Sequence, residues 1–317
     1  MNSTQLILGV DGGGSQTRAL LADMAGRVLG AGAAGASNYQ AVGFAAATQA
    51  LRAAIAEALR SAGLAPETPL EAACFGLAGI GRPDDRARFE DWATAERIAS
   101  RCAFVSDAEL VLAAGTPEGW GVALIAGTGS FCWGRNAAGH TARVGGWGFL
   151  LGDEGSGYDL ATQALRLATQ TADGRAQAHA ILRAVLDHWE LDGPSGLVPY
   201  IYSPERTRAE IAGISVPILK LAASGDTYAA ALLERAATEL ARMVAALIDQ
   251  LDLHTPPVAL AGGLLGASES LRAAIVNQVR VPLGPLSYVA APPRGALILA
   301  RQLVPQHRKC SGAAQRL

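Results

Sequence analysis

The same strand, glycine turn and strand pattern occurs twice in the sequence, and this repetition constrains the fold more than any other feature. DGGGS at 11–15 and AGTGS at 126–130 each follow one apolar stretch and lead into another. A tight turn then precedes a third predicted strand in both copies. The strands are expected at Leu6–Asp11, Thr17–Asp23 and Arg27–Gly32 in the first copy, and at Val122–Ala126, Ser130–Arg135 and His140–Val144 in the second. The chain therefore carries one module twice, at the scale of a domain.

The remaining elements follow from the spacing of apolar residues, and a helical stripe is most regular in Tyr228–Leu251. Helices are expected at Phe44–Ala62, Pro83–Ala99, Tyr158–Gln170, Arg175–Trp189, Tyr228–Leu251 and Gly295–Leu303, and further strands at Glu71–Ala78, Ala103–Val105 and Val258–Ala261. Residues 192–205 contain three prolines and are expected to form a loop. The repeat places two domains at 1–117 and 118–317, and the last helix is a candidate to pack back on the first domain.

The composition excludes several classes of partner. The formal net charge is −2 without acidic or basic blocks, so neither nucleic acid nor a membrane surface is expected. No apolar stretch is long and unbroken enough to span a bilayer. Polar residues 1–5 lead directly into a predicted strand, so no signal peptide is expected. The four cysteines lack a Cys-x-x-Cys pair, so a cytoplasmic protein with reduced thiols is expected. The five histidines lack metal-binding spacing and are expected to be structural or surface residues.

Glycine-rich turns bind phosphate in several ways, which the surrounding residues distinguish. Glycine permits a positive φ and lets a ligand approach backbone N–H groups, which can cradle an anion. A Walker loop requires Gly-Lys-Ser/Thr, and neither Lys220 nor Lys309 follows a glycine. A dinucleotide-binding loop requires a helix after the glycines, whereas a strand follows both turns here. An ordinary hairpin would explain one turn alone, but two matched turns, one beside an acidic residue, favour phosphate binding.

Four segments, in their order along the chain, resemble the N-acetylglucosamine kinase family: LGVDGGGSQT, LIAGTGS, GGWGFLLGDEGSGY and VALAGGLLGAS. This family lies within a group of sugar kinases and acyl-CoA dehydratase activators, in the actin, hexokinase and heat-shock chaperone ATPase superfamily. The resemblance covers residues 5–300, and GGWGFLLGDEGSGY is its most specific segment. It implies an α/β fold of two duplicated ribonuclease H-like domains, of the actin/hexokinase ATPase type, flanking a cleft.

The resemblance also implies an ATP site with Mg2+. The two glycine turns would bind the ATP phosphates, a further glycine pair would border the adenosine, and Asp11 would bind Mg2+ through water. The carried-over residues are Gly13, Gly14 and Ser15 in the first turn, Gly127, Thr128 and Gly129 in the second, and Gly262 and Gly263 beside the adenosine. Relatives often have lysine or arginine at the position of Gln16, and Arg18 is a candidate to supply that charge.

Asp107 matches the family's catalytic base. A carboxylate within hydrogen-bond reach of a sugar hydroxyl can orient that hydroxyl and accept its proton. From the local sequence alone, Asp107 could equally cap the helix after Val105, since aspartate is a preferred N-cap residue. Asp153 carries the same ambiguity, because it could bind sugar hydroxyls or cap the helix near Tyr158. Ser156 could also take that capping role.

The sugar-contacting residues are implied by the same resemblance. They are Asn38, Asp107, Ser130, Gly146, Trp147 and Asp153. Asn38 could instead be an ordinary turn residue, and Trp147 could pack in the core rather than against a pyranose ring. Glu154 is expected to hold its loop. Phe131 stands where some relatives carry a polar residue, which leaves the sugar's 2-substituent open.

The sequence therefore predicts an ATP-dependent kinase for the 6-hydroxyl of an amino sugar, N-acetylglucosamine first, with glucosamine and N-acetylmuramic acid as alternatives. A small-molecule sugar is the expected partner. Members of the family that the chain resembles are often dimers, so a homodimer is expected. A second class is an ATPase activator of a radical acyl-CoA dehydratase, which would hold an iron–sulfur cluster with closely spaced cysteines; the four cysteines here lack that clustering. A sugar-responsive regulator would need an added DNA-binding helix pair, whereas the first predicted element is a strand.

Overall fold

Each predicted module contributes three strands to a five-stranded sheet in the computed structural model, which describes residues 5–80 and 82–305. The chain divides into two compact units. The first comprises the described residues of Met1–Leu110 and Pro293–Leu317, and the second comprises Val111–Pro292. Residues 1–4, His307, Lys309 and Cys310 lie outside the described residues, so expectations that concern them stay predictions.

The sheet of the first unit contains the predicted meander. Its strands are β1 Leu6–Gly12, β2 Thr17–Asp23, β3 Val28–Ala34, β4 Ala72–Leu77 and β5 Cys102–Val105. They lie in the order β3–β2–β1–β4–β5, antiparallel between β1, β2 and β3 and parallel between β1, β4 and β5. Asp11 pairs with Arg18 on one side and with Gly76 on the other. The carboxyl ends of the three parallel strands therefore lie at one edge of this sheet.

Helices cover both faces of the first sheet. They are α1 Tyr39–Val42, α2 Phe44–Ser61, α3 Pro83–Ala95, α4 Asp107–Gly115 and the last helix, α13 Pro293–Gln302. Successive residues of β1 point to opposite faces. Leu8 and Val10 pack in the core cluster that includes residues of α2 and α3. Ile7 packs in a second cluster with Leu110 of α4 and Leu297 of α13.

The second unit repeats this arrangement. Its strands are β6 Gly121–Ala126, β7 Ser130–Arg135, β8 Thr141–Gly145, β9 Val258–Ala261 and β10 Leu286–Tyr288, in the order β10–β9–β6–β7–β8. Its helices are α5 Gly157–Ala172, α6 His179–His188, α7 Leu197–Ile201, α8 Arg208–Ala212, α9 Ser215–Ala223, α10 Thr227–Leu251, α11 Gly263–Ala267 and α12 Glu269–Gln278. The predicted stripe of α10, including Leu240, Val244 and Leu247, is buried in the core of this unit.

Two local predictions need correction, and one strand was not predicted. The predicted loop at 192–205 is wrong, because it contains a 3₁₀ helix at Pro194–Gly196 and then α7. Pro194 lies in the first turn, where the missing N–H would have no helical partner. The helix predicted to reach Ala99 ends at Ala95, and Arg97 adopts a left-handed backbone with φ 54°. Strand β10 was not predicted, since three residues carry too little periodicity.

The described cysteines are free thiols. They are Cys74, Cys102 and Cys132. Burial raises the pKa of Cys74 to about 12 and raises the pKa of Cys102 and Cys132 as well, so these thiols stay protonated near neutral pH. Across the described residues, every helix is too short or too polar to cross a membrane.

Candidate active site

Two aspartates of the predicted site lie at the carboxyl edge of the first sheet, and their negative charges repel each other. Asp11 lies near the end of β1, and Asp107 begins α4, after β5. Burial raises the pKa of Asp11 to about 7, the negative charge of Asp107 adds to this rise, and Arg18 opposes it. The Arg18 Nη2 atom lies 3.6 Å from Asp11 Oδ2. The pair of carboxyls therefore concentrates negative charge that Arg18 only partly neutralises.

The side chains of Ser106 and Glu109 both accept backbone hydrogen bonds at the start of α4. Ser106 Oγ accepts a hydrogen bond from the Ala108 N–H at 3.3 Å, and Glu109 Oε1 accepts one from the Ser106 N–H at 3.2 Å. This arrangement resembles a capping box, in which Ser106 occupies the cap position. Asp107 is the first helical residue and shares the Ala108 N–H at 3.0 Å. Capping alone therefore does not explain an aspartate at position 107.

Helix α4, which begins with Asp107, packs closely against β4. A Cβ at Gly76 would lie 2.2 Å from the Leu110 side chain, so glycine lets α4 approach β4 closely. Burial raises the pKa of Asp107, while hydrogen bonds from the Ser106 hydroxyl and the Ala108 N–H hold part of that rise back. A raised pKa makes the ionised carboxylate a stronger proton acceptor.

The first glycine turn is anchored at its base and open at its tip. The Gly13 N–H donates to the Gln16 carbonyl at 3.0 Å, and the Gly13 carbonyl accepts from the Ser37 and Asn38 N–H groups at 3.0 and 3.1 Å. At the tip, a Cβ on Gly14 would meet no atom within 4 Å. Gly14, Ser15 and Gln16 are exposed, so a ligand can approach the backbone here.

Glycine was expected in the two turns either because it permits a positive φ or because it lets a ligand approach the backbone. The first reason does not apply to the glycines of these turns. Gly13, Gly14, Gly127 and Gly129 are not among the glycines with positive φ in the described chain. Their common property is the missing side chain. The second expected reason, close approach of another group to bare backbone, is the one that fits this geometry.

The second glycine turn is built into the start of α5. The Gly127 N–H donates to the Gly129 carbonyl at 2.9 Å, which closes the turn. The Gly157 N–H donates to the Gly127 carbonyl at 2.8 Å, and the Tyr158 N–H donates to the Thr128 carbonyl at 3.3 Å. The first turn of α5 therefore holds the position and direction of this turn.

The predicted adenosine-side glycines lie beside the second turn, because β9 runs parallel to β6. Gly262 has φ 103°, and a Cβ there would lie 2.3 Å from the Ala126 carbonyl oxygen. A Cβ on Gly127 would lie 3.6 Å from the Gly263 nitrogen. The structure therefore brings together Gly127 and the Gly262–Gly263 pair, and it gives Gly262 a structural requirement for glycine.

Asp153 packs directly under the second turn. Its Oδ1 accepts a hydrogen bond from the Ser130 N–H at 3.3 Å, and a Cβ on Gly129 would lie 2.9 Å from its carboxylate. Asp153 is buried and has φ 60°, a conformation uncommon outside glycine. Burial raises the pKa of Asp153, while the Ser130 hydrogen bond and the charge of Arg208 oppose that rise. Ser156 caps α5 by accepting from the Asp159 N–H, so capping does not account for Asp153.

The other predicted sugar residues of the second unit are Ser130, Gly146 and Trp147, of which Ser130 bonds Asp153 directly. Ser130 Oγ donates to the Glu154 carbonyl at 2.7 Å, which agrees with a loop-holding role for Glu154 through its backbone. The Gly146 N–H donates to the Ser130 carbonyl at 3.2 Å. The Trp147 side chain is 68% exposed, so it is not a core residue.

Asn38 lies at the carboxyl edge of the first sheet as the N-cap of α1. Its Oδ1 accepts a hydrogen bond from the Gln40 N–H at 3.1 Å. A Cβ on Gly79 would lie 2.9 Å from the same oxygen. The local role is therefore that of a turn asparagine, and its backbone bond to Gly13 places it next to the first glycine turn.

Sequence reasoning did not single out Arg208 and Phe149, which pack on each other in the second unit. Arg208, at the start of α8, lies over the Phe149 ring with 4.9 Å from Cζ to the ring centroid, and its charge lowers the pKa of Asp153. Phe149 lies within the segment that carries the resemblance, but Arg208 lies in a stretch without an assigned element. Its link to Asp153 arises from packing, and no local pattern indicates it.

The comparisons with known proteins bear on this site. The profile of the BadF/BadG/BcrA/BcrD ATPase family matches residues 8–299. The chain belongs to this family. The family predicted from the four sequence segments is thereby confirmed, and with it the use of ATP.

Two curated relatives of this chain are amino-sugar kinases. The chain is 34% identical over 261 residues to the N-acetylmuramic acid/N-acetylglucosamine kinase of Clostridium acetobutylicum, covering 82% of this chain and 85% of that protein. It is 28% identical over 274 residues to the N-acetyl-D-glucosamine kinase of Dictyostelium discoideum, covering 82% and 86%. A crystal structure from Chromobacterium violaceum, provisionally assigned as an N-acetylglucosamine kinase, matches with a TM-score of 0.77 and 30% identity, covering 94% and 99%. The expected fold class is thereby confirmed.

Proposed function

We propose that this BadF/BadG/BcrA/BcrD family member is an ATP-dependent kinase that transfers the γ-phosphoryl group to the 6-hydroxyl of an amino sugar of the N-acetylglucosamine type. The observation that carries the proposal is Asp107: a half-buried carboxyl with a raised pKa at the sheet edge, in the first turn of a helix whose cap position is Ser106. The names of the relatives supply the substrate class.

In this proposal Asp107 is the catalytic base. Its carboxylate accepts a hydrogen bond from the sugar 6-hydroxyl and takes the proton as the oxygen attacks the γ-phosphorus of ATP. ADP leaves with the electrons of the broken bond. The hydrogen bonds that Ser106 and Ala108 donate to Asp107 Oδ1 orient the carboxylate and leave Oδ2 for the substrate.

The two glycine turns bind the phosphates of ATP through backbone N–H groups. The residues proposed for this role are Gly13, Gly14 and Ser15 in the first turn and Gly127, Thr128 and Gly129 in the second. The open backbone at Gly14 supports this role, because a phosphate oxygen needs the space that a side chain would fill. Gly262 and Gly263 border the adenosine.

Asp11 fits a role in holding Mg2+ through water. Its carboxyl and that of Asp107 repel each other, and a divalent cation would relieve this repulsion. Among the described residues, no group of three or more histidine, cysteine, aspartate or glutamate side chains could hold a metal ion. Mg2+ commonly binds one or two carboxylates, waters and substrate phosphates, and the Asp11 carboxyl would supply such a ligand. When bound, Mg2+ supplies positive charge that offsets the phosphate oxygens.

The sugar binds to the remaining predicted residues. Asp153 accepts hydrogen bonds from sugar hydroxyls, and the exposed ring of Trp147 packs against the pyranose. Asn38, Ser130 and Gly146 complete the sugar contacts. The Ser130 hydroxyl already donates to the Glu154 carbonyl, so its oxygen is available to a sugar hydroxyl as an acceptor.

A coupled assay of ADP release over a panel of amino sugars, with and without Mg2+, tests this function. N-acetylglucosamine, N-acetylmuramic acid, glucosamine and glucose form the panel, and 6-deoxy-N-acetylglucosamine is the matched control for the acceptor hydroxyl. Nuclear magnetic resonance of the product locates the phosphate. ADP release that is equal with and without sugar, or a phosphate on another hydroxyl, would contradict the proposal.

A further inference from the structure

The segment before Asp153 presents two exposed aromatic rings, and a guanidinium lies over each. Arg143 lies over Trp147 at 5.6 Å from the ring centroid, and Arg208 lies over Phe149 at 4.9 Å. All four side chains are exposed. Aromatic faces beside cations suit a ligand that is both a ring and an anion.

Contacts connect Phe149 and Arg208 to the second glycine turn. The Phe149 ring packs edge-on against Tyr158, with 5.5 Å between the centroids. Tyr158 is in the first turn of α5 and donates its N–H to the Thr128 carbonyl. The Arg208 guanidinium is therefore held, through two aromatic rings, at a defined place beside the proposed phosphate turn.

The charge of Arg208 acts on Asp153 and is otherwise uncommitted. Within residues 5–80 and 82–305, Arg208 forms no ion pair with a carboxylate closer than 4 Å. Arg206, two positions earlier, differs: its Nη1 donates to Glu210 Oε1 at 3.2 Å, and its guanidinium lies over Tyr200. Arg208 thus keeps its hydrogen-bond donors free beside a proposed sugar-binding carboxylate.

We propose that Arg208 determines substrate specificity by binding the carboxylate of an acidic amino sugar such as N-acetylmuramic acid. This inference rests on the proposed kinase function and adds the residue that distinguishes an acidic from a neutral substrate. N-acetylmuramic acid carries a lactyl ether carboxylate that N-acetylglucosamine lacks. A guanidinium matches a carboxylate with two parallel hydrogen bonds, and the Phe149 ring holds its plane.

The test compares kcat/KM for N-acetylmuramic acid and N-acetylglucosamine in wild type, Arg208→Gln, Arg208→Lys and the control Arg183→Gln. The ratio of the two values should fall about tenfold or more in Arg208→Gln. Arg208→Lys should recover part of the ratio, because the charge remains but the planar pair of donors is lost. Arg183→Gln removes an exposed arginine on α6 and should change the ratio less than about twofold.

The methyl ester of N-acetylmuramic acid separates charge recognition from shape. Its kcat/KM should be nearly equal in wild type and Arg208→Gln, because the carboxylate is neutralised. An unchanged ratio in Arg208→Gln, or an equal loss with the ester, overturns the role of Arg208. A wild type that phosphorylates N-acetylglucosamine but not N-acetylmuramic acid also overturns it and leaves the kinase function standing. A wild type that phosphorylates no amino sugar overturns both.

Discussion

Asp11 and Arg18 face each other across the first hairpin, with 3.6 Å between Asp11 Oδ2 and Arg18 Nη2. This ion pair lowers the pKa of Asp11 too little to return it to its usual value, because burial and the charge of Asp107 raise that pKa to about 7. Between the unfolded pKa and the folded one, the folded protein keeps a proton that the unfolded chain has released. The free energy of unfolding therefore falls as pH rises through this interval.

Replacing Asp11 should flatten this pH dependence. In Asp11→Asn without metal, the decrease in the free energy of unfolding between about pH 5 and about pH 8 should be smaller than in wild type by roughly 1 to 4 kcal/mol. Urea denaturation in the presence of EDTA measures it. Asp91→Asn, on the exposed face of α3, is the control and should follow wild type. Parallel profiles for Asp11→Asn and wild type would contradict the raised pKa.

Asp107→Asn should abolish most turnover and leave the fold intact. The amide keeps the shape of the side chain but cannot accept the sugar proton, so kcat should fall by about a hundredfold or more. Binding of ATP and the cooperativity of unfolding should stay as in wild type, since capping of α4 involves Ser106 and Glu109. Asp91→Asn again serves as control. Turnover near that of wild type would remove Asp107 from the mechanism.

Gly14→Ala should weaken ATP binding without destabilising the protein. Its Cβ meets no atom within 4 Å and its φ is not left-handed, so the folded chain accepts the methyl group. The methyl would occupy space that a phosphate oxygen needs, and the dissociation constant of a non-hydrolysable ATP analogue should rise about tenfold or more. Calorimetric titration measures it. Gly193→Ala, which also has open space around its Cβ, should bind as wild type; an equal loss in both variants would argue against a phosphate role for Gly14.

The adjacent glycines at 262 and 263 should respond differently to alanine. Gly262→Ala places a Cβ 2.3 Å from the Ala126 carbonyl oxygen at φ 103° and should lower the free energy of unfolding by about 2 kcal/mol or more. Gly263→Ala has open space and should keep its stability while weakening ATP-analogue binding. Thermal and urea unfolding together with titration separate the two effects. Equal stability of both variants would contradict the close approach of β9 to β6.

The repeated hairpins were predictable because their pattern is local. Alternating apolar residues, tight turns and a glycine corner occur within a short stretch each time, and β1 to β3 and β6 to β8 lie near the predicted positions. The helices with regular stripes, such as α10, were predictable for the same reason. The short helix after Pro194 was not, because a proline suits both a loop and a first helical turn.

The sequence could not distinguish a capping role from a role in the site for individual residues, whereas their contacts in the folded protein can. Asp107 and Asp153 are each compatible, in sequence, with a helix cap. Contacts made by Ser106, Glu109 and Ser156 show where the capping bonds go. The left-handed conformation expected as one reason for the turn glycines does not occur in Gly13, Gly14, Gly127 or Gly129, because the backbone direction depends on the strands and helices to which the turn is bonded.

The amino-acid sequence by itself was enough to predict the duplicated module, the family and the positions of the candidate phosphate turns, because each depends on residues that are neighbours along the chain. Folding in three dimensions was needed to place Arg208 against Phe149 and near Asp153, and to set Asp11 against the charge of Asp107. Charge interactions and burial depend on distance through space, and residues far apart in sequence become neighbours only when strands and helices pack.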